Sequence, residues 1–532
     1  MREDAEQVRD VFVIGGGVNG CGIARDAAGR GLSVTLAEQG DLAQATSSAS
    51  TKLFHGGLRY LEYLELRLVR ESLIERERLL RAMPHIAWPM RFVLPFHRDM
   101  RFESDTPVSR MLNAVMPWMK GRRPAWLIRA GLFLYDTLGG REILPGTARL
   151  DLATAPEGRA LRPEFRTAYE YSDCWVQDSR LVVLNARDAE ARGAEILTRT
   201  RVVSARAEDG GWRILTRDAE TGAERTHRAR MLVNAGGPWV GRILRDTVRS
   251  SLGEGVRLVR GSHIVTPRLF DHDKAYFFQG TDGRIAFALP YEQDFTLIGT
   301  TDRDHADADT APECTDGERR YLIDFVNGYL AAPISEADVV WSYAGVRPLH
   351  DDGAASASAA TRDYTLRLDD SAGAPVLHVF GGKITTYRRL AEGALAKIAP
   401  RLGARGAPWT AGASLPGGDF PVAETGARID ALRVAHPFLT PDWALRLFRT
   451  YGTETGTVLR GARTEAELGR SFGGTLTEAE VDWLMDREYA RTPEDVLWRR
   501  TRLGLRLDAE GAEALGSYMN ERRTRNVRTA AE

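Results

Sequence analysis

The chain has 532 residues, more than one hydrophobic core normally organises, so two or three domains are expected. Lys+Arg at 72 and Asp+Glu at 73 nearly cancel to a net charge of −1, which argues against nucleic acid as the partner and leaves any anion site to be local. Cys21, Cys174 and Cys314 are scattered without metal-type spacing; so few cysteines suit a reducing, cytoplasmic compartment with no disulfide framework and no metal.

The N-terminus, MREDAEQVRD, is acidic and lacks the basic-then-apolar order of a signal peptide. No run approaches the ~20 apolar residues that span a bilayer. VFVIGGGVNGCGIARDAAGRGLSVTLAEQ, 11–39, reads as strand, glycine turn, helix, strand. Gly15, Gly17 and Gly20 give G-x-G-x-x-G: a tight turn, room for a pyrophosphate against backbone, and close packing of helix on strand. The helix start offers N–H groups to phosphate, and Glu38 closes the second strand where an acid accepts from the adenosine ribose. The segment therefore predicts an adenine dinucleotide, with Glu38 disfavouring NADP. FAD and NAD share this fingerprint. ATSSASTKLFHGGLRYLE, 45–62, favours FAD, because the hydroxyls of Thr46, Ser47 and Ser48 can line a phosphate and ribityl chain and Gly56–Gly57 lets backbone approach a flat ring.

SRMLNAVMPWMKGRRPAWLIRAGLFLY, 109–135, mixes tryptophan and leucine with arginine and lysine. It reads either as an interfacial segment lying on a membrane or as an amphipathic helix packed on its own domain. From 194 to 232, Asp209-Gly210-Gly211 and Thr221-Gly222 predict turns of a small β-meander. ARMLVNAGGPWVG, 229–241, is a strand and turn that returns Gly236 to the nucleotide. PVLHVFGGKITTYRRLAEGALAKIAP predicts a strand, a turn at Gly381–Gly382 and a helix from about Thr385, whose N-terminus and Lys383 favour nearby negative charge. Residues 401–426 read as a linker, and 427–532 as a small helical domain with capped starts at Thr477 and Thr492.

The motifs GGGVNG, TSSAS, KLFHGGLRYLE, YSDCWVQD, LVNAGGPWV, GSHIV, IGTTD, GVRPL, TRDYTL and FGGKITTYRRLAE, with LWRRT near the end, resemble the FAD-dependent glycerol-3-phosphate dehydrogenases, the bacterial aerobic membrane-associated type. The resemblance implies an α/β fold of the glutathione-reductase/D-amino-acid-oxidase-like superfamily. A Rossmann-like FAD-binding domain (about 1–98, 150–245 and 340–400) would be interleaved with an α+β substrate domain (about 99–149 and 246–340). It implies non-covalent FAD and oxidation of sn-glycerol 3-phosphate to dihydroxyacetone phosphate by hydride transfer from C2 to flavin N5. Arg59, Arg347 and Arg362 would grip the phosphate, with Tyr60 and His263 lining the pocket. His55 would be the base, Arg347 the alkoxide stabiliser and Lys383 a second base that also touches substrate. Gly57, Gly236, Gly381, Gly382 and Thr385 would bind cofactor. The pattern often has threonine at Gly236, so a backbone contact is expected there. With no metal, haem or disulfide couple in the sequence, electrons must leave to a membrane quinone or to dioxygen. Quinone favours the interfacial reading of 109–135 and peripheral attachment at the inner face of the cell membrane. A second copy of the chain, in a homodimer, is a further candidate partner. Residues about 99–121 read as an insertion. A glycerol-3-phosphate oxidase, an amine or amino-acid oxidase and a non-catalytic flavin scaffold are the alternatives.

Overall fold

The computed structural model describes residues 7–97, 100, 106–115, 124–280, 283–351, 363–403 and 406–531. Two sheets dominate it. The first has the order Thr365–Asp369, Val376–Phe380, Glu224–Asn234, Val8–Ile14, Val34–Ala37, Glu195–Leu197, with the hairpin Thr200–Glu208 and Gly211–Asp218 continuing antiparallel from Glu224–Asn234. Val8–Ile14, Val34–Ala37, Glu224–Asn234 and Val376–Phe380 run parallel. Their apolar runs follow from burial on both faces, as crossover helices require. Helices Val18–Gly29, Asp178–Ala191 and Tyr387–Leu402 cover one face, where Val13, Ile23, Leu184 and Leu395 share one core. The turns expected at 209–211 and 221–222 are present, with Gly210 and Gly222 in the left-handed region.

The second sheet runs Arg303–Asp304, Val256–Pro267, Phe295–Gly299, Ile285–Tyr291, Ala275–Gln279, Ala87–Phe96, Thr167–Val176, Leu53–Phe54, with Trp341–His350 paired to Val256–Pro267 and Ala148–Asp151 to Thr167–Val176. Alternation along its strands sends Phe277 and Leu297 to one core, with Val69, Leu132 and Tyr135 of helices Leu66–Ala82 and Ala125–Leu138. Phe278 and Ile298 go to the other, under helix Asp316–Asn327. The second sheet draws strands from both sets of segments. Leu53–Phe54, Ala87–Phe96, Thr167–Val176 and Trp341–His350 fall in segments assigned to the nucleotide domain, yet they are strands of the second sheet. Their pairing partners, not their sequence neighbours, decide the sheet.

The C-terminal unit has its own core, from Leu439 to Met519, built on helices Pro441–Tyr451, Glu478–Arg487 and Ala509–Ala531 plus a two-strand hairpin, Ser471–Gly473 with Leu476–Thr477, that the helical reading did not include. Residues 409–415, within the expected linker, pack on the nucleotide domain. Leu415 is buried in the nucleotide core, and the Trp409 ring lies under both Arg25 and Arg192 while its Nε1 donates to the Asp26 carbonyl. Buried ion pairs join the unit to the rest: Arg500 to Asp41, Arg199 to Asp495, Arg180 to Glu488 and Arg502 to Asp178. Among the described residues no helix is long and apolar enough to cross a membrane.

Candidate active site

The four parallel strands end on one edge, and each ends in a predicted turn. Ile14 is level with Ala37 and with Asn234, which is level with His378, so Gly15, Glu38, Gly236 and Gly381 leave the sheet together. Ligands of open α/β sheets bind at that carboxyl edge. Gly15 has φ of +112°, and a Cβ there would lie 2.5 Å from the Ala235 carbonyl oxygen; a Cβ on Gly20 would collide with the Gly15 carbonyl. At Gly17 a Cβ would meet only Ser47 Oγ, at 3.3 Å, so the helix N-terminus is open there. Glu38 accepts from the Gly16 and Gly40 N–H groups at 2.6 and 2.8 Å. Burial pushes its carboxyl above the usual range against the pull of those amides. Gly236 donates weakly to Asn234 Oδ1, at 3.4 Å, and so keeps a backbone role.

The hydroxyls of 46–48, expected to line a phosphate and ribityl chain, also bond within the protein. Thr46 donates to the Val346 carbonyl at 2.6 Å, Ser47 Oγ accepts from Val18 N at 3.1 Å, and Ser48 donates to Ala45 O. Ser47 thereby caps the nucleotide helix. Thr46 brings the segment beside Arg347.

The remote 381–385 segment does return to the 55–60 segment. His55 N donates to Thr385 Oγ1 at 3.3 Å, and Lys383 Nζ sits 3.7 Å from the centre of the Tyr60 ring. That ring covers Gly57, which needs a left-handed φ of +78°. Gly382 is held by helix Val18–Gly29: Asn19 Nδ2 donates to the Gly381 carbonyl at 3.1 Å. Helix Tyr387–Leu402 begins two residues later than expected, with Thr386 at its N-cap, because Thr385 is drawn to His55. Arg59 lies in the two-turn 3-10 helix Leu58–Tyr63 that follows Gly57.

Arg347 stands on Trp341–His350, opposite Val259. Its fork donates to Thr300 Oγ1 at 2.7 Å and to the Thr301 carbonyl at 3.3 Å, and it is ion-paired with Asp302. One positive charge is thus already balanced, which the sequence reading did not foresee. His263, buried, shares a hydrogen bond of 3.0 Å with Thr51 Oγ1 and stacks on Tyr343 with centroids 4.7 Å apart. Burial, then the Arg347 and Lys52 charges, push its imidazole well below the usual 6.5. Arg362 lies outside the described residues, as do 98–99, 101–105 and 116–123 of the expected insertion and its surroundings.

The sequence reading missed a buried polar group behind this wall. Lys52 donates to Asp178 at 2.9 Å and to the Ser48 carbonyl at 3.1 Å, and Asp178 also receives Ser50 and Arg502. Burial, then Arg502, lower the Lys52 ammonium to about 8. Burial alone would raise the Asp178 carboxyl, but Lys52 and Arg502 hold it low. Both residues stand in quoted motifs, TKLFHGG and YSDCWVQD; pattern alone did not reveal that they meet.

A sheet whose glycine turns converge on one helix N-terminus, facing a second sheet with basic residues, defines a flavin-dependent oxidoreductase. The family model for FAD dependent oxidoreductases matches residues 10–388, and that for the C-terminal domain of alpha-glycerophosphate oxidase matches 409–521; the chain belongs to the FAD dependent oxidoreductase family. It is 46% identical to an aerobic glycerol-3-phosphate dehydrogenase of Escherichia coli, covering 97% of this chain and 98% of that one, and 50% identical to a D-erythritol 1-phosphate dehydrogenase of Brucella abortus, over 94% and 96%. The crystal structure of a glycerol-3-phosphate dehydrogenase from Bacillus halodurans complexed with FAD is 27% identical and superposes with a TM-score of 0.70, covering 94% of this chain and 87% of that one. These relatives bear out the resemblance in the motifs. FAD is the cofactor, and the residues fit it: Gly15 and Gly20 let the nucleotide helix pack close against the strand turns, Gly17 leaves its N-terminus open to a pyrophosphate, and Glu38 has acceptor capacity for ribose.

Proposed function

We propose that this chain oxidises sn-glycerol 3-phosphate to dihydroxyacetone phosphate, holds FAD non-covalently, and passes the electrons to a membrane quinone. The observation that carries this reading is the meeting of 55–60 with 381–385 on the edge that carries the nucleotide turns, which gathers an imidazole, a phenol and an ammonium there. The names of the Escherichia coli and Bacillus halodurans proteins support the substrate. FAD, when bound, supplies the acceptor for the two electrons and the hydrogen that leave the carbinol carbon. His55 takes the hydroxyl proton, as an imidazole does near neutral pH, and Lys383 is the second base. Arg59, Arg362 and Tyr60 bind the phosphate dianion. Arg347, paired with Asp302 and aimed by Thr300, suits the hydroxyl that turns into a developing alkoxide better than the dianion. His263 is held neutral, so it serves as a polar wall of the pocket and not as a counter-charge.

Attachment to the inner face of the cell membrane is supported by helix Ala125–Leu138, whose outer face exposes Trp126 and Phe133 beside Arg129, and by exposed Leu64, Leu66 and Met111. A second substrate, D-erythritol 1-phosphate, is favoured by the 50% identity to the Brucella abortus protein. Anaerobic mixing of the FAD-loaded protein with each phosphate, followed by a quinone analogue and then air, tests the reading. Rapid loss of flavin absorbance with glycerol 3-phosphate and recovery with quinone are expected. No bleaching by either phosphate sinks it, and one peroxide per substrate under air in place of quinone reduction makes it an oxidase.

A further inference from the structure

We propose that Tyr135 is a positioning residue for the His55–Gly57 turn. This inference rests on the reading that places His55 at the reacting hydroxyl. Strand Leu53–Phe54 ends just before the turn, so the Gly56 N–H leaves the ladder in a buried place where an unpaired amide is unfavourable. Its partner is Tyr135 Oη, at 2.7 Å, with a longer approach of 3.3 Å to Asp173 Oδ1. The Tyr135 hydroxyl donates in turn to the Asp173 carboxylate, at 2.7 and 2.9 Å. Arg76 completes the chain, donating to Asp173 Oδ1 at 2.7 Å and to the Ser172 carbonyl at 2.6 Å. Tyr135, Asp173 and Arg76 are 2%, 2% and 4% exposed, so water does not compete for any of these bonds. A chain of hydrogen bonds that ends on an ion pair polarises each member and stiffens the whole.

The geometry admits little else. A Cβ on Gly56 would lie 2.7 Å from Tyr135 Oη and collide with Leu73, so the turn lies tight against helix Leu66–Ala82 as well. Thr385 holds the preceding residue through His55 N, so His55 is flanked by a bond from each half of the molecule. Tyr135, Asp173 and Arg76 come from three elements of the second sheet's layer, Ala125–Leu138, Thr167–Val176 and Leu66–Ala82. The backbone that carries the imidazole is therefore held on its Gly56 side by the second sheet's layer and on its own N–H by the 381–385 segment. Burial, then Asp173, keep the phenol well above its usual pKa, so it stays a donor.

Tyr135→Phe tests this, because it keeps the ring, which packs edge-on against Tyr171 at 5.8 Å, and removes the hydroxyl. Two readouts are taken on the FAD-loaded protein: amide hydrogen exchange of a peptide covering 53–58, and the rate of anaerobic flavin reduction at saturating glycerol 3-phosphate. Exchange about tenfold faster at 53–58 with Val8–Ile14 unchanged, and reduction slowed about tenfold with substrate affinity within about threefold, is the expected result. Both readouts within twofold of the parent overturn the proposal, and so does a change in one without the other. Should the parent not be reduced at all, the substrate reading fails, and the visible band of the bound flavin replaces the rate: a displaced band in the variant supports the inference and an identical one overturns it. If Tyr135→Phe does not fold, Asp173→Asn, which keeps an acceptor but removes the charge, is read by the same criteria.

Discussion

Replacing Arg500 by methionine tests how far the C-terminal unit supports the nucleotide site. Arg500 reaches across the interface to donate to both oxygens of Asp41, at 2.9 and 2.8 Å, and to the Glu488 carbonyl at 3.0 and 2.7 Å; the Arg500 and Asp41 side chains are both 0% exposed. Asp41 opens the loop in which Ala43 N donates to the Gly16 carbonyl and Ser47 caps the nucleotide helix. Breaking a buried pair from one side typically destabilises by about 3–5 kcal/mol, because the other charge is left behind. Here Arg499 still donates to Asp41, at 2.6 Å, so the lower figure applies. About 3 kcal/mol is roughly a hundredfold change in an equilibrium constant. Urea titration followed by far-UV circular dichroism and by release of FAD should show the first transition moving to lower urea in Arg500→Met, with flavin released in that transition. Arg500→Met/Asp41→Leu should recover most of the loss, since an apolar pair of similar size replaces a buried ion pair nearly neutrally. A loss below about 1 kcal/mol, or a double variant worse than the single one, refutes the reasoning.

Arg347→Ala should keep FAD bound yet slow anaerobic bleaching by at least about a hundredfold, the usual effect of removing one donor to a developing oxyanion; normal bleaching removes Arg347 from the site. Gly20→Ala should weaken FAD binding at least tenfold in an equilibrium titration, because its Cβ drives the helix off the Gly15 carbonyl. Lys52 has a folded pKa of about 8 against 10.5 unfolded, so the unfolded state binds more protons between those values and this group's contribution makes stability rise with pH there. Lys52→Met should flatten that rise in urea midpoints measured from pH 8 to 10.5. His263 is depressed below 6.5, so the unfolded state binds its proton first and stability falls as pH drops through 6.5; His263→Asn should lessen the acid loss of Tm.

The nucleotide half was legible because its information is local. Strand Val8–Ile14, the glycines and Glu38 lie within one stretch, and the periodicity and spacing dictate both the fold and the edge on which the ligand sits. The interleaving was legible only as resemblance, and the sheet to which Ala87–Phe96 and Thr167–Val176 belong was not legible, since these antiparallel partners have hydrophobic runs that read equally well in either sheet. Side-chain pairing was the least accessible. Ser47 and Thr46 were read only as candidates to line the cofactor; each also meets a backbone group from a distant segment, and no pattern in TSSAS announces Val18 N or Val346 O. Asp302 escaped notice for the same reason: IGTTD was recognised as a motif, but its acid gains meaning only where Arg347 crosses it.

Those missed contacts share one target. Between Asp41 and Gly57 the chain is held by Arg500 at Asp41, by Val346 at Thr46, by Val18 at Ser47, by Asp178 at Ser50 and Lys52, and by Tyr135 at Gly56. The anchors come from the C-terminal unit, the second sheet and three helices, and several are buried charges. Apolar packing alone would fold such a segment, but it tolerates small slips, whereas a fully paired polar network admits one arrangement. A reaction that needs a proton acceptor within hydrogen-bond reach of one hydroxyl loses rate when that acceptor moves by about 1 Å. The concentration of buried polar anchors on 41–57 is therefore the physical form in which the fold holds His55 in register with the nucleotide edge, and it is why the tenfold effect expected at Tyr135 is a loss of rate more than of affinity.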